Sequence, residues 1–201
     1  MSIRRERKDA LEHRRLILQT AQALFNEHGV RPVSMHQIAK TAGIGQATLY
    51  RRYAHKGDLC SDILQDYGHQ LMNQVTTYLE EHRQSSAAEK LDGIVDLWID
   101  AIEEKSDLII AMEAKMACDD HRGNFFHSPM YKFFRNKMSE LLTEIMGQDT
   151  NQQASADPDL AAHAIICSMS PLGYFHLKQE KGYSTDQMKM GFRNMYRLSA
   201  Q

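Results

Sequence analysis

Side chains able to bind a polar, anionic surface crowd into the stretch from Ser34 to Leu59: Gln46, Thr48, Tyr50, Arg51, Arg52 and Lys56. A glutamine amide can pair with adenine and an arginine fork with guanine in a major groove. Tyrosine, lysine and a second arginine suit phosphate oxygens, contacts that position a protein without reading sequence. Ser34, Gly45 and Ala47 stand among them as further candidate contact positions. The chemistry this set implies is recognition of a duplex, with no bond made or broken.

Two other constellations invite chemistry. Asp119, Asp120 and His121, with His127 nearby, could in principle ligate a metal, and a small α-helical metal-dependent hydrolase built on the first three is the alternative reading. Such a site needs ligands that converge in space, and the chain holds no Glu-x-x-His pair of the kind that builds metal sites in helical bundles. A hydrated acidic loop is therefore preferred. His163 and Cys167 stand four apart on one helix face, where burial at a helix interface is preferred to ligation. No catalytic residue, metal or cofactor is expected.

The elements that must position these side chains are helices, marked by caps and 3.6-residue periodicity, with no alternating strand pattern. A first helix is expected from about Asp9 to His28, stopped by Gly29. Ser34-x-x-Gln37 is a capping-box signal flanked by Val33 and Ile38 at staple positions, so a short helix starts there. It meets the turn Ala42-Gly43-Ile44, where glycine takes a positive φ without strain, and a second short helix follows from Gln46 to Arg52. Two short helices about such a turn make a helix-turn-helix. Ile38, Ala39, Ile44 and Leu49 form its small core. A long helix from Lys56 to about His82 follows, able to link a head to a separate body.

Beyond it, Ser86-x-x-Glu89, Ser106, Ser128-Pro129, Asp157-Pro158 and Ser184-x-x-Gln187 each open a helix. The helix from Pro158 is expected to run to Gly182, with Pro171 as a kink. The fold class is all-α, about nine helices, divided at residues 1–55 and 56–201.

Composition agrees. The 201 residues are 42% hydrophobic and 25% charged, with 4 prolines and 11 glycines, too few turn formers for a sandwich or barrel. No run approaches a transmembrane span and the basic start leads into no apolar signal core; three distant cysteines read as reduced thiols. The expected location is the cytoplasm, with no membrane partner. The net charge of −2 hides an asymmetry: 11 Lys and Arg face 5 Asp and Glu up to Cys60, against 13 and 21 in the remainder. A basic first third suits a phosphate-rich partner that an acidic remainder repels. Arg4, Arg5, Arg7 and Lys8 are either an arm that tracks DNA or a solubilising tail.

Ser34, Ile38-Ala39, Ala42-Gly43-Ile44, Thr48-Leu49-Tyr50, Tyr53, Lys56 and Leu59 together resemble the DNA-binding module of tetracycline-repressor-like (TetR) transcriptional regulators. The likeness covers about fifty residues; the rest is similar only in length and helix content. It departs in Gly45, where the family often has Ser or Thr, in Tyr53 for the commoner Phe, and in His55 for a small cap. The resemblance implies a homodimer on a near-palindromic DNA operator, usually a repressor, released by a small-molecule effector. In the body, Trp98, Met112, Met116, Phe134 and Tyr174 are the candidate effector-binding residues, suited to a mostly apolar ligand. The last two helices are the implied dimer interface, through Leu160, Ala164, Ile165, Ser168, Leu172, Met188, Phe192 and Met195.

Overall fold

The computed structural model describes residues 2–116, 124–147 and 157–198, and the side chains of 11–112, 125–147 and 157–195. Among the described residues every regular element is an α-helix: α1 (Ser2–His28), α2 (Met35–Thr41), α3 (Gln46–Arg52), α4 (Lys56–Glu81), α5 (Ala87–Glu104), α6 (Ser106–Met116), α7 (Asn124–His127), α8 (Pro129–Gly147), α9 (Pro158–Ser168), α10 (Pro171–Lys181) and α11 (Thr185–Leu198). They pack as two units, each discontinuous in sequence: Met1–Tyr67 with Lys105–His121, and Gly68–Glu104 with Arg122–Gln201.

The first unit gathers around Ile17, Leu18, Ala21, Phe25, Val33, Ile38, Leu49, Leu59 and Ile63, all buried, and Leu108 of α6 joins the same cluster. Its local stops are those expected. Gly29 takes φ +78° and its N–H returns to the Phe25 carbonyl at 2.8 Å, closing α1. Leu49 and Leu59 are wholly buried, and burying such side chains stabilises by about 2 kcal/mol each.

The second unit is held at its helix starts by hydrogen-bonded caps. Ser86 N–H donates to the Glu89 carboxylate (2.9 Å) while Glu89 N–H donates to Ser86 Oγ (3.3 Å), a reciprocal box. Ser184 and Gln187 repeat it at 2.8 and 3.2 Å. Ser128 Oγ and Asp157 Oδ1 accept from Tyr131 and Asp159 N–H. Ile94, Ile99, Phe134, Met138, Ile166, Met169 and Tyr174 fill its interior. Gly93 lies against the Tyr78 ring, which a Cβ there would push aside.

Three expectations about the helices are revised. The helix expected from Pro158 to Gly182 is two, α9 and α10, bent by 57°. Pro171 cannot donate to the turn before it, and it pushes Ser170 out of the helical region; Ser170 instead sits at φ −58°, ψ 136° and begins α10. The short helix α7 carried too little periodicity to be foreseen. The first helix starts at Ser2 rather than Asp9. No single helix among the described residues is long and apolar enough to cross a membrane. The bent α9–α10 pair passes on composition and length together, and its buried residues serve the unit's own core.

Candidate nucleic-acid interface

The corner made by α2 and α3 is built from local chemistry. Ser34 Oγ accepts the Gln37 N–H at 3.1 Å, and Val33 and Ile38 on either side of that cap are buried. Gly43 turns the chain at φ +66°, and the Ile44 N–H reaches back to the Ala39 carbonyl at 3.0 Å. Helix α3 then buries only Leu49. Gln46, Ala47, Tyr50, Arg51 and Arg52 are exposed and Thr48 is half-buried. Tyr50 leaves 48% of its surface open. Gly45 caps the N-terminus of α3 with no side-chain bond.

The structure gives these side chains different neighbours. Gln46 Nε2 meets Nδ1 of His36 on α2, a neighbour ten residues away that no motif singles out. Thr48, Arg51 and Arg52 line a cleft of about 300 Å³ with His13 and Ile17 of α1, which makes α1 one wall of the basic surface. Lys56 has a task not anticipated for a phosphate clamp. Its ammonium donates to the carbonyls of Val30 (2.8 Å), Arg31 (2.9 Å) and Val33 (2.9 Å). An ammonium has three protons, so in this arrangement all three tie down the loop between α1 and α2.

Behind the surface lies a charged brace. Arg14 of α1 forks onto Asp62 of α4 (3.0 and 2.6 Å) and reaches Asp66 (2.9 Å), while the Tyr53 hydroxyl donates to Asp62. Burial pushes the Asp62 carboxyl up, but the Arg14 and Tyr53 hydrogen bonds outweigh it, so the group sits below the usual carboxylate range. Burial first, then the bond to Asp62, pushes the Tyr53 phenol up to about 12. The Tyr53 hydroxyl therefore ties α3's end to α4. Cys60, wholly buried, has its thiol pushed up to about 11 by desolvation and is inert. His55 stands before α4 with its backbone N–H bonded to Asp58 (2.9 Å).

The body candidates separate. Trp98 and Phe134 meet edge to face at 4.4 Å in the second unit. Tyr174, wholly buried there, stacks on Phe192 and donates its hydroxyl to Glu103. Met112 packs against the core of the first unit, and the Met116 side chain lies outside the described residues. Of the interface candidates, Leu160, Ala164, Ser168, Leu172 and Met195 are exposed. Ile165, Met188 and Phe192 are buried at 3%, 2% and 9% exposure; they belong to the chain's own core, because the apolar stripe of each helix has two sides. His163 is brought between Tyr131 Oη (2.8 Å) and Cys167 Sγ (3.4 Å). Asp119, Asp120 and His121 lie outside the described residues, as do the side chains of Arg4, Arg5, Arg7 and Lys8.

Comparison with known proteins bears on this geometry. Residues 17–63 match the bacterial regulatory proteins of the tetR family. An HTH-type transcriptional regulator of Staphylococcus aureus is 51% identical over 59 residues, 29% of this chain. The chain spans about a third (32%) of the length of that curated relative. A regulator from Saccharomonospora viridis solved with choline superposes with a TM-score of 0.66 at 21% identity, covering 92% of this chain and 96% of that one. The TetR-family repressor FadR of Thermus thermophilus, solved with lauroyl-CoA, gives 0.61 at 18% identity over 92% of each chain. A TetR-family regulator of Streptomyces coelicolor gives 0.58 at 19% identity over 94% of each. These likenesses show the fold, and the head shows kinship in sequence. Residues 17–63 thus carry a helix-turn-helix domain of the tetR family.

Proposed function

We propose that the protein is a ligand-responsive transcriptional repressor in the cytoplasm, which holds a palindromic double-stranded DNA operator as a homodimer and releases it when a small molecule enters its body. On this reading residues 1–55 bind DNA and 56–201 bind effector and partner subunit. One observation carries it: α3 buries Leu49 alone and leaves Gln46, Ala47, Tyr50 and Arg51 open on one face. That is a helix with a base-reading surface, set on a second helix by a glycine turn.

The homodimer is supported by apolar side chains left open on the last three described helices. Leu160 and Leu172 keep 63% and 67% of their surface exposed, and Met190 and Met195 also face solvent. Apolar faces of that kind mark interfaces, and a two-fold axis through one patch buries both copies at once. Two heads so related meet successive major grooves.

The effector reading is supported by Trp98. It is buried, yet its indole N–H has no hydrogen-bond partner, and neither has Arg135 Nε. An orphaned buried donor costs about 1–3 kcal/mol. A mostly apolar ligand carrying an acceptor would satisfy such a donor beside the Phe134 ring. Relatives of the same fold were solved with choline and with lauroyl-CoA, so the fold accommodates ligands of unlike chemistry. Catalysis is not part of the reading, and the exposed recognition helix favours DNA binding over a hydrolase.

The test is protection of an inverted repeat upstream of the protein's own gene by the purified chain, read by footprinting. Two protected half-sites about one helical turn apart are expected, with affinity falling steeply as salt rises. Uniform binding to any duplex, with no protected repeat, would sink the proposal.

A further inference from the structure

We propose that His36 determines which base Gln46 reads, by holding the Gln46 amide in a single orientation. The inference rests on the reading of α3 as the base-reading helix and adds a residue on α2 to it. His36 lies in the first turn of α2, Gln46 is the first residue of α3, and both are exposed. The glycine turn sets the two helix starts side by side, and Gln46 Nε2 there meets His36 Nδ1.

The consequence follows from the hydrogen-bonding inventory of the two groups. A neutral imidazole whose Nδ1 accepts carries its proton on Nε2. A primary amide has two N–H groups, one syn and one anti to its carbonyl oxygen. With the anti N–H donating to His36, the free edge of the amide carries the oxygen and the syn N–H. That acceptor and donor pair complements the N6 amino group and N7 of adenine in the major groove. The terminal torsion of glutamine is broad and two-fold, so without His36 the amide presents its oxygen and nitrogen in either order. Discrimination then falls although Gln46 is still present. A first contact held by a supporting one is also ordered before DNA arrives, so less rotamer freedom is lost on binding. His36 is thus a positioning residue whose effect is read at one base pair in each half-site.

The test is selection from a randomised duplex library with the full chain, His36→Phe, His36→Asn, Gln46→Ala and the His36→Phe/Gln46→Ala pair, alongside thermal melting of each. For the parent, a preference for adenine at one position per half-site is expected. His36→Phe keeps the ring shape but removes the acceptor; it should lower that preference about tenfold, to the level of Gln46→Ala, with other positions and the melting temperature unchanged. His36→Asn, which retains a side-chain acceptor, should keep some of the preference. The double variant should be no flatter than either single one. A folded His36→Phe with the parental profile overturns the inference and leaves the DNA-binding reading standing. Additive losses in the double variant also overturn it, since His36 would then read a base of its own. A parent with no preference at any position defeats the inference together with the reading it rests on.

Discussion

At the scale of single residues, Lys56 has partners that its position in the motif does not suggest. Its position in the motif suggests a phosphate, yet its ammonium is shared among three carbonyls 23 to 26 residues back in the chain. Lys56→Met should destabilise the head by about 1–3 kcal/mol, the range for leaving polar groups unpaired. Thermal melting checks this. The slope of operator affinity against salt should stay within error of the parent, because no phosphate contact is lost. A slope shallower by about one unit in a variant of parental stability would restore the phosphate role. Gly45 offers the opposite case. A Cβ there meets nothing nearer than Thr48 Oγ1 at 3.8 Å, and the cap of α3 lacks a side-chain bond. Gly45→Ser should therefore stabilise by about a few tenths of a kcal/mol in denaturant unfolding. At Gly43, with φ +66°, alanine should cost about 1–2 kcal/mol although the space around it is open.

At the scale of elements, one carboxylate joins three helices of the second unit. Glu103 of α5 accepts hydrogen bonds from Tyr174 and Lys178 of α10 and from Thr185 of α11, the last at 3.2 Å. Burial pushes its carboxyl up, but these donors prevail and hold it below the ordinary range. A carboxyl depressed on folding contributes stability in full above its unfolded pKa, near ~4.3, and loses it as pH falls through the folded value. Stability should thus decline below about pH 4–5. Glu103→Gln should flatten that decline and cost about 1–2 kcal/mol at neutral pH, measured by urea unfolding at several pH values. An unchanged acid limb would remove Glu103 from the account. The break between α9 and α10 belongs to this scale too. Pro171 ends one helix and starts the next, so Tyr174 can turn inward to Glu103.

For the molecule as a whole, assembly depends on which apolar side chains are already committed to the chain's own core. Ile165, Met188 and Phe192 are buried within the chain itself, so a charge at Phe192 should destabilise the unit it packs in. Leu172, at 67% exposure, is free to meet a second copy. Leu172→Glu should leave the melting of the isolated chain almost unchanged, shift sedimentation from dimer to monomer, and weaken operator binding more than about a hundredfold, since each head then binds its half-site alone. A dimer that survives Leu172→Glu together with Leu160→Glu places the interface elsewhere.

The recognition head was legible from the amino-acid order because its determinants are local. A cap bonds three residues ahead, a glycine turn spans three residues, and the apolar period of a short helix is visible within it. The long helices were legible for the same reason, and so were their starts at Ser86, Ser128, Asp157 and Ser184. What periodicity could not decide is which neighbour covers an apolar face. Whether Phe192 looks inward or outward, whether Met112 sits beside Trp98 or in the core of the other unit, and whether Lys56 meets phosphate or carbonyl oxygens are questions about residues far apart in the chain. The partners of Glu103 lie 71 to 82 residues away. Only packing in three dimensions chooses among such partners, because many sequences of the same period would satisfy each helix alone.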